Sequence, residues 1–375
     1  MGIKGLMNFL RKECPKFSCE IGMDQFTNRK VAVDISIYIY KFKASAKDKW
    51  MDMIIFLLMS LRSYNIHPVV IIDGKPPIEK TNECIRRKKN KTNLADTAKT
   101  LKASMDKFEE TGVMTELLRN TIDKLNDKTA SVSFIRNKLS ERSNSDIRIS
   151  MSESEKNTIR RHIDKLESQV IRITVKDIEK LIDFCKVVGI HVIKAPGEAE
   201  AYASMLYYED KVAAIMSEDS DILTYGCDAL ITKYSMSRGR GYIISRQNVL
   251  EGLGLSEKQF IDFCIMCGTD YNNNMKGIGS MTAFKLIHEH KTLEDISKHH
   301  DTSTLNFTRV REIFNTHGNM DVVERKLDVP YSESFSKLNL TNIYIFLSQI
   351  DASANCFSLF DNLNKQNIAN NIVIT

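Results

Sequence analysis

Residues 195–221 read Ala195-Pro-Gly-Glu-Ala-Glu-Ala-Tyr-Ala-Ser-Met-Leu-Tyr-Tyr-Glu-Asp-Lys-Val-Ala-Ala-Ile-Met-Ser-Glu-Asp-Ser-Asp221. A turn at Pro196-Gly197 opens a small-residue helix that carries Glu198 and Glu200 at its start. The apolar run Val212–Met216 then reads as a strand that ends in Ser217-Glu-Asp-Ser-Asp221. Glu198, Glu200, Glu218, Asp219 and Asp221 are thus crowded beside an apolar strand, which is costly unless something cationic pairs with them. A divalent metal is the expected cation.

Working outward, a helix is predicted over 176–188 with a strand at Gly189–Ile193 before this stretch, and a further strand at Ala229–Thr232 after it. Nearer the start, residues 3–13 form a short helix with Leu6, Phe9 and Leu10 on one side. Arg29-Lys-Val-Ala-Val-Asp34 is a buried strand, 35–63 is helical, and His67-Pro-Val-Val-Ile-Ile-Asp-Gly74 is a second strand before the turn at Lys75-Pro76-Pro77. Ile54, Ile55, Leu57, Leu58 and Leu61 are too many apolar residues for a surface helix. Strands separated by helices at this spacing argue for an α/β fold with a central, mostly parallel, doubly wound twisted sheet flanked by helices.

In such a sheet the carboxyl ends of the strands share one edge, so Asp34, Asp73 and Asp219 converge although they are distant in sequence. Each acid also has a local reading: Glu198 and Glu200 as acids at a helix N-terminus, Asp219 and Asp221 as helix caps. Five or more at one edge still repel one another and need compensation. Oxygen donors with no histidine among them select Mg²⁺ or Mn²⁺ over zinc. Two such ions suit in-line displacement at a phosphodiester, so phosphodiester hydrolysis is the expected chemistry.

The bulk of the chain agrees with this. It has 375 residues, 42% hydrophobic and 27% charged, with a net charge of +5, compatible with nucleic acid without demanding it. Eight cysteines without disulfide-like spacing, and no secretory segment at the start, point to an intracellular setting. Cys264-Ile-Met-Cys267 lacks the second pair that a zinc site needs and reads as core. The run Met53–Leu61 is too short to cross a bilayer, and Leu6 stands where a myristoylation signal needs Ser or Thr.

Four regions are expected: 1–90 and 171–300 as two parts of one core, 91–170 as a helical insertion, and 301–375 as a helical C-terminal extension. The basic segment Lys80–Lys91, with Arg86-Arg-Lys-Lys89, reads on its own as a solvated helix face or a nuclear localisation signal. The insertion has heptad-like spacing at Leu101, Met105, Phe108, Leu117, Leu118, Ile122 and Leu125, and a polar break near Ser143–Ser154 that reads as disordered. Over 256–290, helices at Ser256–Cys267 and Met281–Glu289 flank the loop Gly268–Gly279. Gly277-Ile-Gly279 suits either a phosphate at a helix start or a tight helix–helix turn. No motif in 300–375 connects to chemistry.

Taken together, these segments resemble the flap endonuclease/XPG family of structure-specific 5′ nucleases. The resemblance rests on Met1-Gly-Ile-Lys-Gly-Leu6, Val-Ala-Val-Asp34 with Ser36 and Tyr40, Asp73-Gly-Lys-Pro-Pro77, Ala-Pro-Gly-Glu-Ala-Glu200-Ala, Ser-Glu-Asp-Ser-Asp221, and Gly-Thr-Asp270-Tyr with Gly-Ile-Gly279. It implies a PIN-like 5′ nuclease core, a helical arch and a helix–turn–helix element at 256–290 that grips duplex DNA. It places seven metal-site carboxylates on Asp34, Asp73, Glu198, Glu200, Asp219, Asp221 and Asp270, sharing two Mg²⁺ for which Mn²⁺ can substitute. It puts Lys80 and Arg87 on the scissile phosphate, Tyr40 under a base beside the cut, and Gly2, Lys276, Gly277 and Gly279 on the DNA, with a K⁺ at the 268–280 loop. The implied substrate is DNA with a 5′ flap or another single/double-strand junction, cut as an endonuclease and 5′→3′ exonuclease in replication, repair or recombination. A monomer is expected, in the nucleus or a viral DNA replication compartment.

Two departures qualify the resemblance. The stretch between Asp73 and Glu198 is longer than in ordinary flap endonucleases, so a bubble- or junction-cutting nuclease stays open beside a flap endonuclease. The C-terminus also lacks the sliding-clamp box: Gln349 and Gln366 are not followed by paired aromatics. A largely non-catalytic junction-binding scaffold is the alternative from another class.

Overall fold

Short apolar runs with few charges make good strands for a sheet covered on both faces, because each face needs its own apolar set. The computed structural model describes residues 2–127, 151–315 and 339–372 and shows this arrangement. Seven strands, β1 (Ser18–Gly22), β2 (Lys30–Asp34), β3 (His67–Ile72), β4 (His191–Lys194), β5 (Ala214–Met216), β6 (Leu230–Ser235) and β7 (Arg240–Ile244), form one sheet. Their order is β1-β7-β6-β5-β2-β3-β4. The five strands β2 to β6 are parallel. Strands β1 and β7 are antiparallel and make one edge.

The sequence expectation lacked β1 and β7. Of the β1 residues only Ile21 is buried, and β7 carries Gly241 as its second residue. Strand β7 pairs antiparallel with β6, and β1 pairs in turn with β7. The sheet is therefore mixed at one edge and parallel where the acids lie.

In chain order, α1 (Leu6–Glu13) precedes β1, and α2 (Ile35–Ala46) and α3 (Trp50–Ser63) link β2 to β3. Next come α4 (Thr81–Thr111), α5 (Glu116–Asp127) and α6 (Glu153–Gln169), then α7 (Val175–Val187) before β4. Helix α8 (Ala199–Tyr208) joins β4 to β5, and α9 (Asp221–Thr224) follows β5. After β7 come α10 (Arg246–Leu253), α11 (Glu257–Cys267), α12 (Ser280–His290), α13 (Leu293–Ile296), α14 (Phe307–Phe314), α15 (Leu340–Gln349) and α16 (Ala354–Ile372).

The period of two along the strands divides the core. Ala32, Val69, Ile71 and Ile215 face one apolar cluster, shared with α1 and α8 to α14. Val31, Val33, Val70, Ile72 and Met216 face the other, shared with α2, α3, α7, α15 and α16. The α3 residues Ile54, Ile55, Leu57, Leu58 and Leu61 are all buried there, as their density predicts. Cys264 and Cys267 are buried thiols of the first cluster.

Two compact units result, Met1–Glu83 with Ile173–Thr375, and Cys84–Arg172. The first holds the whole sheet and both clusters. The second has a small core of its own, in which Leu101, Met105, Phe108, Leu118 and Ile122 meet Ile159 and Ile163. Of the expected polar break, 143–150 lies outside the described residues. Ser152 caps α6 through a reciprocal capping box with Glu155, so the described end of that stretch is helix start.

The chain builds β2, β3 and β4 to one side and then returns to place β5 against the other side of β2. The strand order therefore reverses between β2 and β5. A crevice at the carboxyl ends of those strands is where an open α/β sheet holds its ligand.

Candidate active site

Six of the seven predicted acids stand at or just past a strand end or at a helix start, and Asp270 lies in a loop. Asp34 closes β2 and leads into α2, and Ser217 donates to its Oδ2 at 2.8 Å. Asp73 follows β3 and accepts the Ala199 amide at 2.9 Å, so it caps α8 from another strand. Glu198 is the N-cap residue of α8 and Glu200 lies in its first turn. Past β5, Asp219 donates its amide to Ser217 Oγ at 3.1 Å and accepts the Asp221 amide at 3.0 Å. Asp221 opens α9. Asp270 comes from the loop after α11. The local roles and the cluster coexist: the backbone bonds fix the carboxylates, and the sheet edge gathers them.

The gathering is electrostatically severe. Asp34, Glu198, Glu200, Asp219 and Asp221 are all buried. Burial pushes the Asp34 carboxyl up to about 7, with the Asp73 and Asp219 charges adding and the Ser217 hydroxyl opposing. Burial, then Glu198, holds Glu200 well above the usual carboxylate range. Burial, then Asp219 and Asp270, does the same to Asp221. Asp219 is also raised, chiefly by burial.

One cation relieves part of this. Lys80 ends a 3-10 turn over Ile78–Lys80 and is 8% exposed. Its ammonium bonds Glu198 and lies 3.1 Å from Asp270 Oδ2 and 3.8 Å from Glu200 Oε1. Burial works against its charge, but Glu200, Glu198 and Asp270 together outweigh that and hold its pKa above the ordinary lysine value. Behind it, Arg309 of α14 pairs with Glu79 at 2.6 Å.

Among the described residues, no group of three or more His, Cys, Asp or Glu side chains is drawn in tightly enough to hold an ion as it stands. The ammonium lies among the acids instead. Two observations still favour divalent cations there. Both carboxylate oxygens of Asp221 are buried without a hydrogen-bond partner, and a buried charge left in that state is costly. The donor set is all oxygen, the chemistry of Mg²⁺ and Mn²⁺. The residues fit such ions.

Gly2 belongs to the same place. Its φ is +92°, and a Cβ there would collide with Asp219 Oδ1 and Ser220 Oγ and stand 2.9 Å from Asp221 Oδ1. The next residue, Ile3, donates its amide to Ser220 Oγ at 3.1 Å. Gly2→Ala is expected to lower cleavage about tenfold or more by displacing Asp219 and Asp221. A substituted protein as active as the parent would remove Gly2 from the site.

The other predicted contacts separate. Tyr40, on α2 two turns from Asp34, is 36% exposed. Lys276, Gly277 and Gly279 lie exposed between α11 and α12, with Gly277 at φ +77° and Gly279 as the N-cap of α12. Arg87 stands on α4 within the second unit, so its place at the phosphate rests on the resemblance alone. Glu218, by contrast, is bonded to the neighbouring strand. It accepts from Thr232 Oγ1 at 2.7 Å and from the Lys233 amide at 3.0 Å, and pairs with Lys41 at 3.4 Å. It ties the acidic loop to β6.

Sequence reasoning missed Ser217, Ser220, Tyr271, Tyr225 and the Arg309–Glu79 pair. The serines alternate with acids in Ser217-Glu-Asp-Ser-Asp221, a signal that was available. Tyr271 stood beside Asp270 without a role. Nothing local marks Tyr225 or Arg309.

Known proteins share sequence regions and fold with this chain. Residues 1–94 match the XPG N-terminal domain and 189–270 the XPG I-region. A probable RAD2-like endonuclease, 369L of Invertebrate iridescent virus 6, is 30% identical, over 92% of this chain and 88% of its own. The chain belongs to the XPG family. The two matched regions of this XPG-family nuclease carry all seven predicted carboxylates. Solved structures share its fold. Flap endonuclease-1 from Methanococcus jannaschii superposes with a TM-score of 0.57 at 20% identity, covering 94% of this chain and 97% of that one. The catalytic core of Rad2 in complex with DNA substrate gives 0.56 at 16%, covering 97% of this chain and all of that one. Among the described residues, no helix is long and apolar enough to cross a membrane.

Proposed function

We propose that this XPG-family nuclease is a Mg²⁺-dependent, structure-specific 5′ endonuclease. In this reading it cuts DNA at single/double-strand junctions, with 5′→3′ exonuclease activity, and leaves a 5′ phosphate. The observation that carries the reading is the convergence of seven carboxylates at one sheet edge, with both Asp221 oxygens left buried and unpartnered. Asp34, Asp73, Glu198, Glu200, Asp219, Asp221 and Asp270 would hold two ions, with Mn²⁺ able to replace Mg²⁺. When bound, such a pair activates a water and offsets charge on the phosphate during in-line displacement.

The chain's own residues do the rest. Gly2 lets the backbone approach the acids without a side chain. Lys80 turns its ammonium to the scissile phosphate once the carboxylates have another cation, and Arg87 adds a second positive charge. Tyr40 offers an exposed ring for stacking of the base beside the cut. The amides at the start of α12, with Lys276, grip the uncut duplex through phosphates, and a K⁺ at the 268–280 loop would support that grip. The protein acts as a monomer in DNA replication, repair or recombination, within a nucleus or a viral replication compartment.

A panel of flap, nicked, bubble and four-way DNAs, assayed in Mg²⁺ and in chelator, tests the proposal. Cleavage of flaps is expected in Mg²⁺ only. Asp219→Ala is expected to lower it about 10³-fold while flap DNA still binds. A variant that cuts at the wild-type rate would make the site assignment wrong. Preference for bubbles or four-way junctions would move the protein to that branch of the family. Binding without cleavage in either metal would leave a junction-binding scaffold.

A further inference from the structure

Glu198 is held on both of its oxygens. Lys80 bonds Oε1, and the Tyr271 hydroxyl donates to Oε2. A phenol has one proton to give, so with that proton on Glu198 the Tyr271 oxygen accepts from Tyr225, whose hydroxyl lies 2.6 Å away. The two tyrosines form a directed relay, Tyr225 to Tyr271 to Glu198, and each bond polarises the next. Tyr271 is 5% exposed and Tyr225 1%.

The relay is braced from behind. Phe314 meets the Tyr225 ring at 5.1 Å and the Tyr271 ring at 5.5 Å, edge-on to both. Its helix, α14, is pinned by Arg311, which forks onto both oxygens of the fully buried Asp262 at 2.6 Å each. Phe314 thus packs against both phenol rings at once. The two grips on Glu198 also differ in kind. Lys80 is a charge that a divalent cation can replace, whereas the Tyr271 hydroxyl is neutral and competes with no cation.

We propose that Tyr271 is a positioning residue that fixes which oxygen of Glu198 faces the cations, with Tyr225 and Phe314 keeping its hydroxyl aimed. The proposal rests on reading the site as a divalent-metal centre. Hydrogen-bond partners of metal ligands set ligand orientation, and their loss typically lowers metal affinity or activity about 10–100-fold.

The test uses the full chain with Tyr271→Phe and Tyr225→Phe. Mn²⁺ binding is followed without DNA by loss of the free-ion paramagnetic resonance signal. Cleavage against Mg²⁺ concentration, flap-DNA affinity in chelator and melting temperature are measured alongside. Tyr271→Phe is expected to weaken Mn²⁺ binding about tenfold and to raise the Mg²⁺ concentration for half-maximal cleavage in step. Tyr225→Phe should shift both the same way by a smaller factor. DNA affinity in chelator should not change.

Wild-type Mn²⁺ affinity in Tyr271→Phe, with or without a lowered melting temperature, overturns the proposal. Should Tyr271→Phe fail to fold, Tyr225→Phe decides by the same readout, and an unshifted Mn²⁺ affinity there overturns it. If the wild-type chain itself neither binds Mn²⁺ nor cuts, the metal-centre reading fails rather than the role of Tyr271 within it.

Discussion

Asp221→Asn is expected to lower cleavage about 10³-fold and, at the same time, to raise the melting temperature of the metal-free protein. The two outcomes have one cause. Asp221 is fully buried and neither of its oxygens has a hydrogen-bond partner. Burial, then Asp219 and Asp270, pushes its pKa well above the usual carboxylate range. A carboxyl raised in the folded state adds stability below its unfolded pKa, near 3.8, and loses it as the pH climbs through the folded value. Asn carries no charge and can donate to its acidic neighbours. The stability gap between variant and wild type should therefore widen from pH 5 to pH 8 in chelator. Leaving a buried polar group unpaired costs roughly 1–3 kcal/mol, enough to move a melting transition by a few degrees. Added Mg²⁺ should reverse the order, since only the wild type recovers the lost stability. Calorimetric melts at pH 5, 6.5 and 8, with and without Mg²⁺, provide the check. A variant less stable than wild type at pH 8 in chelator would mean that Asp221 is not strained.

Lys80→Ala should act in the opposite sense. Its ammonium is the counter-charge for Glu198, Glu200 and Asp270, and those groups are buried or nearly so. Removing one partner of a buried ion pair costs about 3–5 kcal/mol because the other charge is left alone. The urea midpoint in chelator is expected to fall accordingly at pH 8. The loss should shrink as the pH falls, because burial and Glu198 hold the Glu200 carboxyl well above the usual carboxylate range, and once protonated it no longer needs the ammonium. It should shrink again in saturating Mg²⁺. Turnover on flap DNA should drop about 10²-fold with a smaller change in duplex affinity, since a phosphate contact at the reacting centre differs from one on the uncut duplex. Equal losses of turnover and duplex binding would argue against a role at the scissile phosphate. A chelator midpoint equal to wild type would show that the lysine is not what neutralises the acids.

The acids were legible because strand ends are legible. Asp34 and Asp73 follow runs of apolar residues, and a parallel sheet gives all such ends one edge. Glu198 and Glu200 follow a Pro-Gly turn that starts a helix. What stayed hidden depends on contacts between distant segments. Tyr225 closes a four-residue helix and Phe314 lies in a stretch with no motif, yet they meet over Tyr271. Arg309 and Glu79 are separated by most of the chain. Strand β1 has a single buried residue, Ile21, and takes its place only by pairing with β7, which itself pairs with β6. Glu218 looked like its neighbours in sequence, and only the fold shows that it faces β6. Lys80 was legible as a basic residue before a long helix, but its burial among carboxylates was not.

The two ends of the stretch between the halves of the sheet are tied to each other. Strand β3 pairs in parallel with β4, from Val69 opposite His191 to Ile72 opposite Lys194. Beyond the strands, Ala195 donates to Ile72 at 2.9 Å and Gly74 to Gly197 at 2.7 Å, where a Cβ on Gly74 would strike the Ala195 carbonyl. These backbone bonds form a clasp between the segments that carry Asp73 and Glu198. Closing a flexible loop of twice the length costs only about 0.6 kcal/mol more. The clasp sets the positions of both acids, so the Cys84–Arg172 unit, which falls within this stretch and has a small core of its own, can lengthen or shorten at small thermodynamic cost. The placement of Asp73 and Glu198 is thereby uncoupled from the length of that unit.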